Sequence, residues 1–149
     1  MLLYRIVRKP YAQDLSGTGS RLFGGRWNSI GKSLTYLADS QSLAVLEVLV
    51  HIRLQAAPAD HVLVTLYVPE DIIDINTDKL PSRWNDVYPP ALLRKYGDDF
   101  VDDGKSLLLK VPSAVVPQQF NYLMNPAHPK MAEVKVISAE PFSFDSRLM

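Results

Sequence analysis

Residues 43–52 read Leu-Ala-Val-Leu-Glu-Val-Leu-Val-His-Ile, a segment that is apolar on nearly every side and carries Glu47 as its charge. Asp39 or Ser40 can cap a helix that runs through this segment to about Arg53. At about 100° per residue, apolar side chains flank the carboxylate on its own face of that helix. An ionised carboxylate in such a setting is costly unless it is paired or used, so Glu47 marks either a salt bridge or a functional site.

The segments around this helix alternate in type without a regular βαβ order. Alternating or continuous apolar runs predict strands at residues 2–7, 33–37, 61–68, 106–111 and 134–137. The run 11–25 is rich in Gly and Ser and predicts a loop, and a second helix is predicted from Pro90 to about Asp103. This irregular interleaving predicts an α+β fold, with residues 1–149 forming a single domain.

Composition excludes several classes of function. The 149 residues are 47% hydrophobic and 21% charged, which is ordinary for one globular domain with a core. Lys+Arg and Asp+Glu each number 16, so no global basic field favours direct nucleic-acid binding. The absence of cysteine excludes disulfides, thiolate metal sites and a cysteine nucleophile. Charges interrupt the N-terminal apolar run, and no other run is long enough to span a membrane, so we expect a cytoplasmic protein.

Two more residues near Glu47 are candidates for a site. Arg26 follows a glycine pair that allows close approach of a ligand, and its guanidinium can bind phosphate oxygens as a fork. A surface arginine, or a partner of Glu47, is the alternative for Arg26. Tyr36 stands at a strand end, where its ring offers a flat face to a base or a nicotinamide ring, although for this residue taken alone core packing is the better explanation.

Other motifs in the chain do not predict a nucleotide loop or a metal site. Gly31-Lys32-Ser33 lacks the upstream glycine and the following helix of a phosphate-binding loop. Gly17-Thr18-Gly19 lacks the third glycine of a dinucleotide fingerprint. His51, His61 and His128 show no metal-ligand spacing, so we expect no metal. The Asn and Pro residues within 121–129 are typical of turns, so a polar turn explains this segment.

Taken together, these segments resemble the RES domain family, the toxin half of the bacterial RES/Xre type II toxin–antitoxin systems. The steps from Arg26 to Tyr36 and from Tyr36 to Glu47 agree with the family pattern. The matching segments, which cover nearly the whole chain, are Leu-Tyr-Arg-Ile-Val at 3–7, Leu-Ser-Gly-Thr-Gly at 15–19, Gly-Arg-Trp at 25–27, residues 44–51, Leu-Leu-Leu at 107–109, Val-Pro-Ser at 111–113, Asn-Tyr-Leu at 121–123, Asn-Pro at 125–126, His-Pro at 128–129 and residues 144–148.

The resemblance implies a fold similar to that of the ADP-ribosyltransferases, with short twisted sheets and flanking helices around an NAD⁺ cleft. It implies that Glu47, Arg26 and Tyr36 are catalytic and that Arg26, Tyr36 and Ser113 bind NAD⁺ as a substrate rather than a cofactor. Asn121 and Asn125 match the surrounding motif without an assigned role. The implied partner is an Xre-type helix-turn-helix antitoxin whose C-terminal part occludes the site, and a homodimer is left open.

The chemistry fits these residues. Cleavage of the nicotinamide–ribose bond builds oxocarbenium character on the ribose, which a carboxylate beneath the sugar stabilises. We therefore expect a toxin that depletes NAD⁺, as a glycohydrolase or a phosphorylase. The alternatives are ADP-ribosyl transfer to a protein, a ribonuclease that uses Glu47, Arg26 and a histidine such as His128, and a non-catalytic module in which Arg26 and Glu47 form a buried pair.

Overall fold

The computed structural model describes residues 1–52 and 60–148, which form one mixed sheet of seven strands with flanking helices. The strands are β1 (Leu2–Arg8), β2 (Thr35–Ala38), β3 (His61–Tyr67), β4 (Ile72–Asp74), β5 (Leu108–Pro112), β6 (Phe120–Met124) and β7 (Lys135–Pro141). The α-helices of the described residues are α1 (Thr18–Phe23), α2 (Gln41–Leu49) and α3 (Arg94–Asp103). The predicted α+β class is confirmed.

The strand order is β4-β5-β6-β2-β1-β3-β7, in which β4 and β5 are parallel and the other neighbours are antiparallel. Neighbouring strands are joined by several residue pairs everywhere except at the centre of the sheet. There β1 and β2 are joined at a single pair, Tyr4 opposite Ala38. Because antiparallel strands that stay together pair residue by residue, β1 and β2 separate along Thr35–Leu37, the part of β2 before this contact. The gap between them is the origin of the cleft described below.

Both faces of the sheet carry a core. One face packs side chains of β1, β2, β3, β5 and β6 together, and Leu3, Leu37, Val64 and Leu108 are among its buried members. On the opposite face α2 packs Leu43 and Ala44 against Ile6 and Ala38. Also on that face α3 packs Phe100 against Leu109, Val111 and Leu123. The successive residues Leu108 and Leu109 thus serve opposite faces, as the two-residue period of a strand requires.

The region predicted as a loop over residues 11–25 contains the short helix α1, so that prediction is wrong for residues 18–23. Gly17 and Gly24 both have φ of 70°, the left-handed region that favours glycine, and they lie at the two ends of the helix. The glycines that suggested a loop therefore bracket a helix. Ser20 in this helix bonds through Oγ to both the N–H and the C=O of Leu34, so β2 starts later than predicted.

The helix that contains Glu47 begins as predicted. The Ser40 side chain accepts a hydrogen bond from the N–H of Leu43, which confirms Ser40 as its cap. Helix α2 ends at Leu49, earlier than the predicted end near Arg53, a residue that lies outside the described part of the chain. The second predicted helix is confirmed, with a 3₁₀ turn at Ala91–Leu93 leading into α3.

Helix α3 fixes the loop that carries Arg26. The N–H of Gly97 donates to the carbonyl of Trp27 at 2.9 Å. Asp98 accepts hydrogen bonds from both the backbone N–H and the hydroxyl of Ser29, at 2.8 and 2.6 Å. Trp27 is buried, and its ring lies 6.2 Å from that of Trp84. The loop is therefore held at Trp27 and at Ser29, directly after Arg26.

Candidate active site

A cavity of about 1280 Å³ opens where β1 and β2 diverge. Its walls include Arg26, Tyr36 and Glu47, so the structure brings together the three residues at the centre of the sequence prediction. Arg5 and Asn121 line the same cavity. The three central residues come from three separate elements: Glu47 lies on α2, Tyr36 on β2 and Arg26 on the loop between α1 and β2.

Glu47 is half-buried, and neutral donors fix its carboxylate. Oε1 accepts from the hydroxyl of Ser113 at 2.7 Å and from Nδ2 of Asn121 at 2.6 Å. Within the described residues both bonds fall on Oε1, so Oε2 is available to a ligand in the cavity. Because α2 is apolar along its other faces, these two bonds set the direction of the carboxylate.

Ser113 lies behind Glu47 rather than on the cavity wall. It is fully buried, and its hydroxyl oxygen accepts from the N–H groups of Val115 and Val116 at 3.1 and 3.0 Å. A hydroxyl has one proton to donate, and Ser113 donates it to Glu47. In this arrangement Ser113 acts on a ligand through the carboxylate.

Asn121 is a site residue whose role could not be assigned from the sequence. Its strand β6 pairs with β2, with Asn121 opposite Ala38, and this register brings its amide to Glu47. Its Oδ1 is buried and has no hydrogen-bond partner among the described residues. Asn121 therefore acts at the site by holding the Glu47 carboxylate through Nδ2.

Arg26 is anchored to a distant part of the chain. Nη1 donates to the carbonyls of Trp84 and Asp86, each at 2.8 Å. The structure places no ion pair between Arg26 and Glu47, two residues that it describes. Burial lowers the pKa of the guanidinium, and the Glu47 carboxylate opposes this effect. Nε and Nη2 carry the further N–H groups that can bind a ligand as a fork.

Tyr36 is the centre of a hydrogen-bonded network that shapes the Arg26 loop. Its hydroxyl donates to Oδ1 of Asn28 at 2.5 Å and accepts from the N–H of Trp27 at 3.3 Å. Asn28 is fully buried, and its Nδ2 donates to the carbonyls of Ser20, Ser29 and Lys32. A Cβ at Gly25 would lie 2.6 Å from the Tyr36 hydroxyl oxygen, so the loop requires glycine there.

Replacing Tyr36 by Phe is expected to cost about 1–3 kcal/mol of unfolding free energy, because it leaves Oδ1 of buried Asn28 without its donor. Burial raises the pKa of the Tyr36 phenol above its ordinary value of 10.0. The unfolded chain therefore loses this proton first, and the wild type loses stability as pH rises above that value. Urea unfolding at pH 8 and pH 10.5 measures both effects. Equal stability of the two proteins at pH 8 would contradict the network.

Arg5 is a cavity residue that the sequence reasoning did not select. It lies on β1, its Nη2 donates to the carbonyl of Tyr11 at 3.1 Å, and its buried Nε has no hydrogen-bond partner among the described residues. Burial lowers the pKa of this guanidinium, and Asp14 opposes the effect. Arg5 could have been selected from the sequence. A charged residue within an apolar strand needs a partner or a function, as Glu47 does within its helix.

His128, named for the ribonuclease alternative, and Asn125, which matches the family motif without an assigned role, lie elsewhere. Asn125 Oδ1 caps a turn by accepting from the N–H of Ala127, and Nδ1 of His128 accepts from the N–H of Lys130. Neither residue lines the cavity that contains Glu47. Across residues 1–52 and 60–148 no group of three or more His, Asp or Glu side chains is placed to hold a metal ion. No helix in the same ranges has the length and apolar character to cross a membrane.

These features define a class of α+β protein in which diverging central strands enclose a cleft whose lining includes the Glu47 carboxylate and the guanidinium groups of Arg5 and Arg26. The RES domain model matches residues 2–145, and the chain belongs to the RES domain family. It is 40% identical to "Toxin Res" of Photorhabdus laumondii over 100% of this chain and 97% of that protein. It is 34% identical to the "Prs ADP-ribosylating toxin" of a Sphingobium species, over 96% of this chain and 91% of the relative.

A solved structure confirms the fold. The chain is similar to a chain in the crystal structure of the Mycobacterium tuberculosis MbcT–MbcA toxin–antitoxin complex, with a TM-score of 0.75. The match covers 95% of this chain and 84% of the other at 21% sequence identity. The arrangement of strands around the cleft is therefore shared at a level of identity that no longer preserves most side chains.

Proposed function

We propose that this chain is the toxin of a toxin–antitoxin system and that it cleaves the nicotinamide–ribose bond of NAD⁺. The observation that carries the proposal is the Glu47 carboxylate, which Ser113 and Asn121 hold by one oxygen in the wall of a cavity that also contains Arg26. A carboxylate fixed by neutral donors beside cationic side chains suits a substrate that has a pyrophosphate and develops positive charge on a sugar.

The reaction begins when the C–N bond between ribose and the nicotinamide ring lengthens. The bonding electrons leave with the ring, which departs as neutral nicotinamide, and the ribose gains oxocarbenium character. Oε2 of Glu47 stabilises that charge, and the stabilisation is greatest in the transition state because the charge is greatest there. Holding Glu47 through Oε1 reduces the reorganisation that would otherwise accompany the reaction.

The other residues bind and orient the substrate. Arg26 contributes its free N–H groups to the pyrophosphate, and Arg5, which lines the same cavity, adds a second cationic side chain. Tyr36 keeps its proton because burial raises its pKa, so it maintains the Arg26 loop and presents its ring to the nicotinamide ribose. Ser113 acts by directing Glu47.

The acceptor of the ADP-ribosyl group is water or inorganic phosphate. With water the products are ADP-ribose, nicotinamide and a proton. With phosphate the oxygen of the anion bonds to the ribose, and ADP-ribose 1″-phosphate is formed. Both reactions deplete NAD⁺ and use the same carboxylate.

We expect the purified protein to release nicotinamide from NAD⁺, and the products distinguish the acceptors. The measurement is chromatography of reactions with and without added phosphate. A phosphorylase accelerates with phosphate and yields the phosphorylated product, and a glycohydrolase yields ADP-ribose in both reactions. Release of no nicotinamide in either reaction, from protein that arrests growth when expressed without a partner, would refute NAD⁺ cleavage.

A second candidate is ADP-ribosyl transfer to a protein. The observation that favours it is the 34% identity to a relative named Prs ADP-ribosylating toxin, which spans nearly the whole chain. The cleft residues would have the same roles, with a protein nucleophile as acceptor. A lysate protein that gains the mass of ADP-ribose, with little free ADP-ribose formed, distinguishes transfer from hydrolysis.

The proposed partner is an Xre-type helix-turn-helix antitoxin, encountered in the cytoplasm. Two observations support a partner at the cleft. The similar fold was solved in a toxin–antitoxin complex, and exposed apolar side chains surround the cavity mouth. A protein that covers this mouth would prevent entry of NAD⁺.

A further inference from the structure

Two strongly exposed aromatic side chains lie at the mouth of the cavity. Tyr88 is 89% exposed and Phe23 is 82% exposed, and both line the cavity that contains Arg26 and Glu47. Most of the described large apolar residues are buried in the three cores of the fold or are partly buried and packed against them. Exposed aromatic rings beside a cleft are typical of a contact surface for a ligand.

Both rings are positioned by the segments that hold Arg26. Phe23 ends helix α1, three residues before Arg26, and Gly24 turns the chain between them at φ of 70°. Tyr88 follows Asp86, whose carbonyl accepts from Nη1 of Arg26 at 2.8 Å. The same guanidinium therefore connects the two segments that carry the rings.

The segment before Tyr88 is braced as well. Arg83 has φ of 65°, unusual for a residue with a side chain, and its Nε donates to the Asp86 carboxylate at 2.6 Å. Trp84 packs on Trp27, and its carbonyl accepts the other bond from Arg26. Tyr88 thus follows a fixed stretch of backbone and still exposes its ring.

This arrangement matches the chemistry of a dinucleotide. If Glu47 takes the nicotinamide ribose and Arg26 the pyrophosphate, the second nucleoside continues past Arg26 toward the mouth of the cavity. The volume of about 1280 Å³ exceeds that of ordinary small-ligand pockets, so both nucleosides can be accommodated. Aromatic side chains stack on the flat faces of bases, and that stacking is the interaction that Tyr88 and Phe23 offer.

We propose that Tyr88 and Phe23 form the adenine subsite of the cleft by stacking on the base of NAD⁺. The inference rests on the proposed function and assigns the part of the cavity that the bond-cleaving residues do not use. The subsite binds the end of the substrate remote from the reacting bond. It therefore contributes to affinity and leaves the chemical step unchanged.

The test compares ligands with and without adenine. Tyr88→Ala is expected to raise KM for NAD⁺ about tenfold with little change in kcat, the effect of losing one stacking contact. The Ki of ADP, which keeps adenine, rises in parallel, and the affinity for nicotinamide mononucleotide, which lacks it, stays the same. Phe23→Ala behaves similarly, and Tyr88→Phe retains the wild-type KM because the ring remains.

Leu92→Ala provides the matched control, since Leu92 is 60% exposed, close to Tyr88 in the chain and outside the cavity wall. An unchanged KM in the Tyr88→Ala and Phe23→Ala variants would overturn the subsite and indicate that the rings serve a protein partner. Equal weakening of ADP and nicotinamide mononucleotide would also overturn it. Calorimetric binding of ADP to wild type and variants tests the subsite even if the wild type releases no nicotinamide, a result that would refute the proposed function separately.

Discussion

The Glu47→Gln protein is expected to release nicotinamide from NAD⁺ on the order of 10³-fold more slowly than the wild type, the usual loss when a transition-state charge stabiliser is removed. The substitution is close to isosteric. The side-chain carbonyl of Gln can accept the bonds from Ser113 and Asn121 in place of Oε1, so the remaining difference is the negative charge that faces the cavity. We expect the effect in kcat rather than in KM, because that charge matters most in the transition state.

Glu140→Gln is the control for this experiment, because Glu140 is exposed on β7 and does not line the cavity. Steady-state nicotinamide release gives the rate, and thermal unfolding establishes that both variants are folded. The assignment of Glu47 fails if Glu47→Gln keeps full activity. It also fails if the variant loses activity only in proportion to a loss of folded protein.

Gly97→Ala is expected to destabilise the protein by about 2–4 kcal/mol, although Ala in a helix ordinarily improves on Gly by about 1 kcal/mol. The reason is the close contact between α3 and the Arg26 loop. A Cβ at Gly97 would lie 2.1 Å from the carbonyl oxygen of Trp27 and 3.0 Å from Cδ1 of Leu34. Backbone cannot move away as a flexible side chain can, so α3 must shift and the bond from the Gly97 N–H to Trp27 must lengthen.

The control is Gly19→Ala, which also lies in a helix but has nothing within 4 Å of its added Cβ. Urea unfolding is expected to show Gly19→Ala equal to or above the wild type and Gly97→Ala well below it. For a chain of this size the loss corresponds to a fall in Tm of roughly 10 °C. A Gly97→Ala protein as stable as the Gly19→Ala protein would show that the contact is not limiting.

The elements with a strong local pattern could be predicted from the sequence. β1 and β3 alternate clearly, and α2 has a serine cap followed by an apolar run, so their positions follow from local chemistry. Helix α1 was missed because it has six residues, and its bracketing glycines resemble those of a loop. The three-residue β4 depends on parallel pairing with β5, a partner distant in the chain. A local pattern does not encode such pairing.

The residues of the candidate site also fall into those that could be selected from the sequence and those that could not. Glu47, Arg26 and Tyr36 could be selected because each is an unusual residue in its local setting, and the structure places them in one cavity. Their catalytic roles stay predictions. Arg5 and Asn121 were not given roles, because an arginine in a strand and an asparagine near turns have ordinary explanations until their neighbours are known.

The α+β class, the helix that carries a lone carboxylate and the family that the motifs resemble could all be inferred from the amino-acid sequence. These follow from periodicity, capping and composition, which act between near neighbours in the chain. By contrast, the folded chain was needed to see that Ser113 and Asn121 hold Glu47, and that Arg26 bonds to the backbone carbonyls of Trp84 and Asp86 instead of to that carboxylate. Those contacts depend on the register of β6 against β2 and on the divergence of β1 from β2, which are set by the packing of the whole sheet.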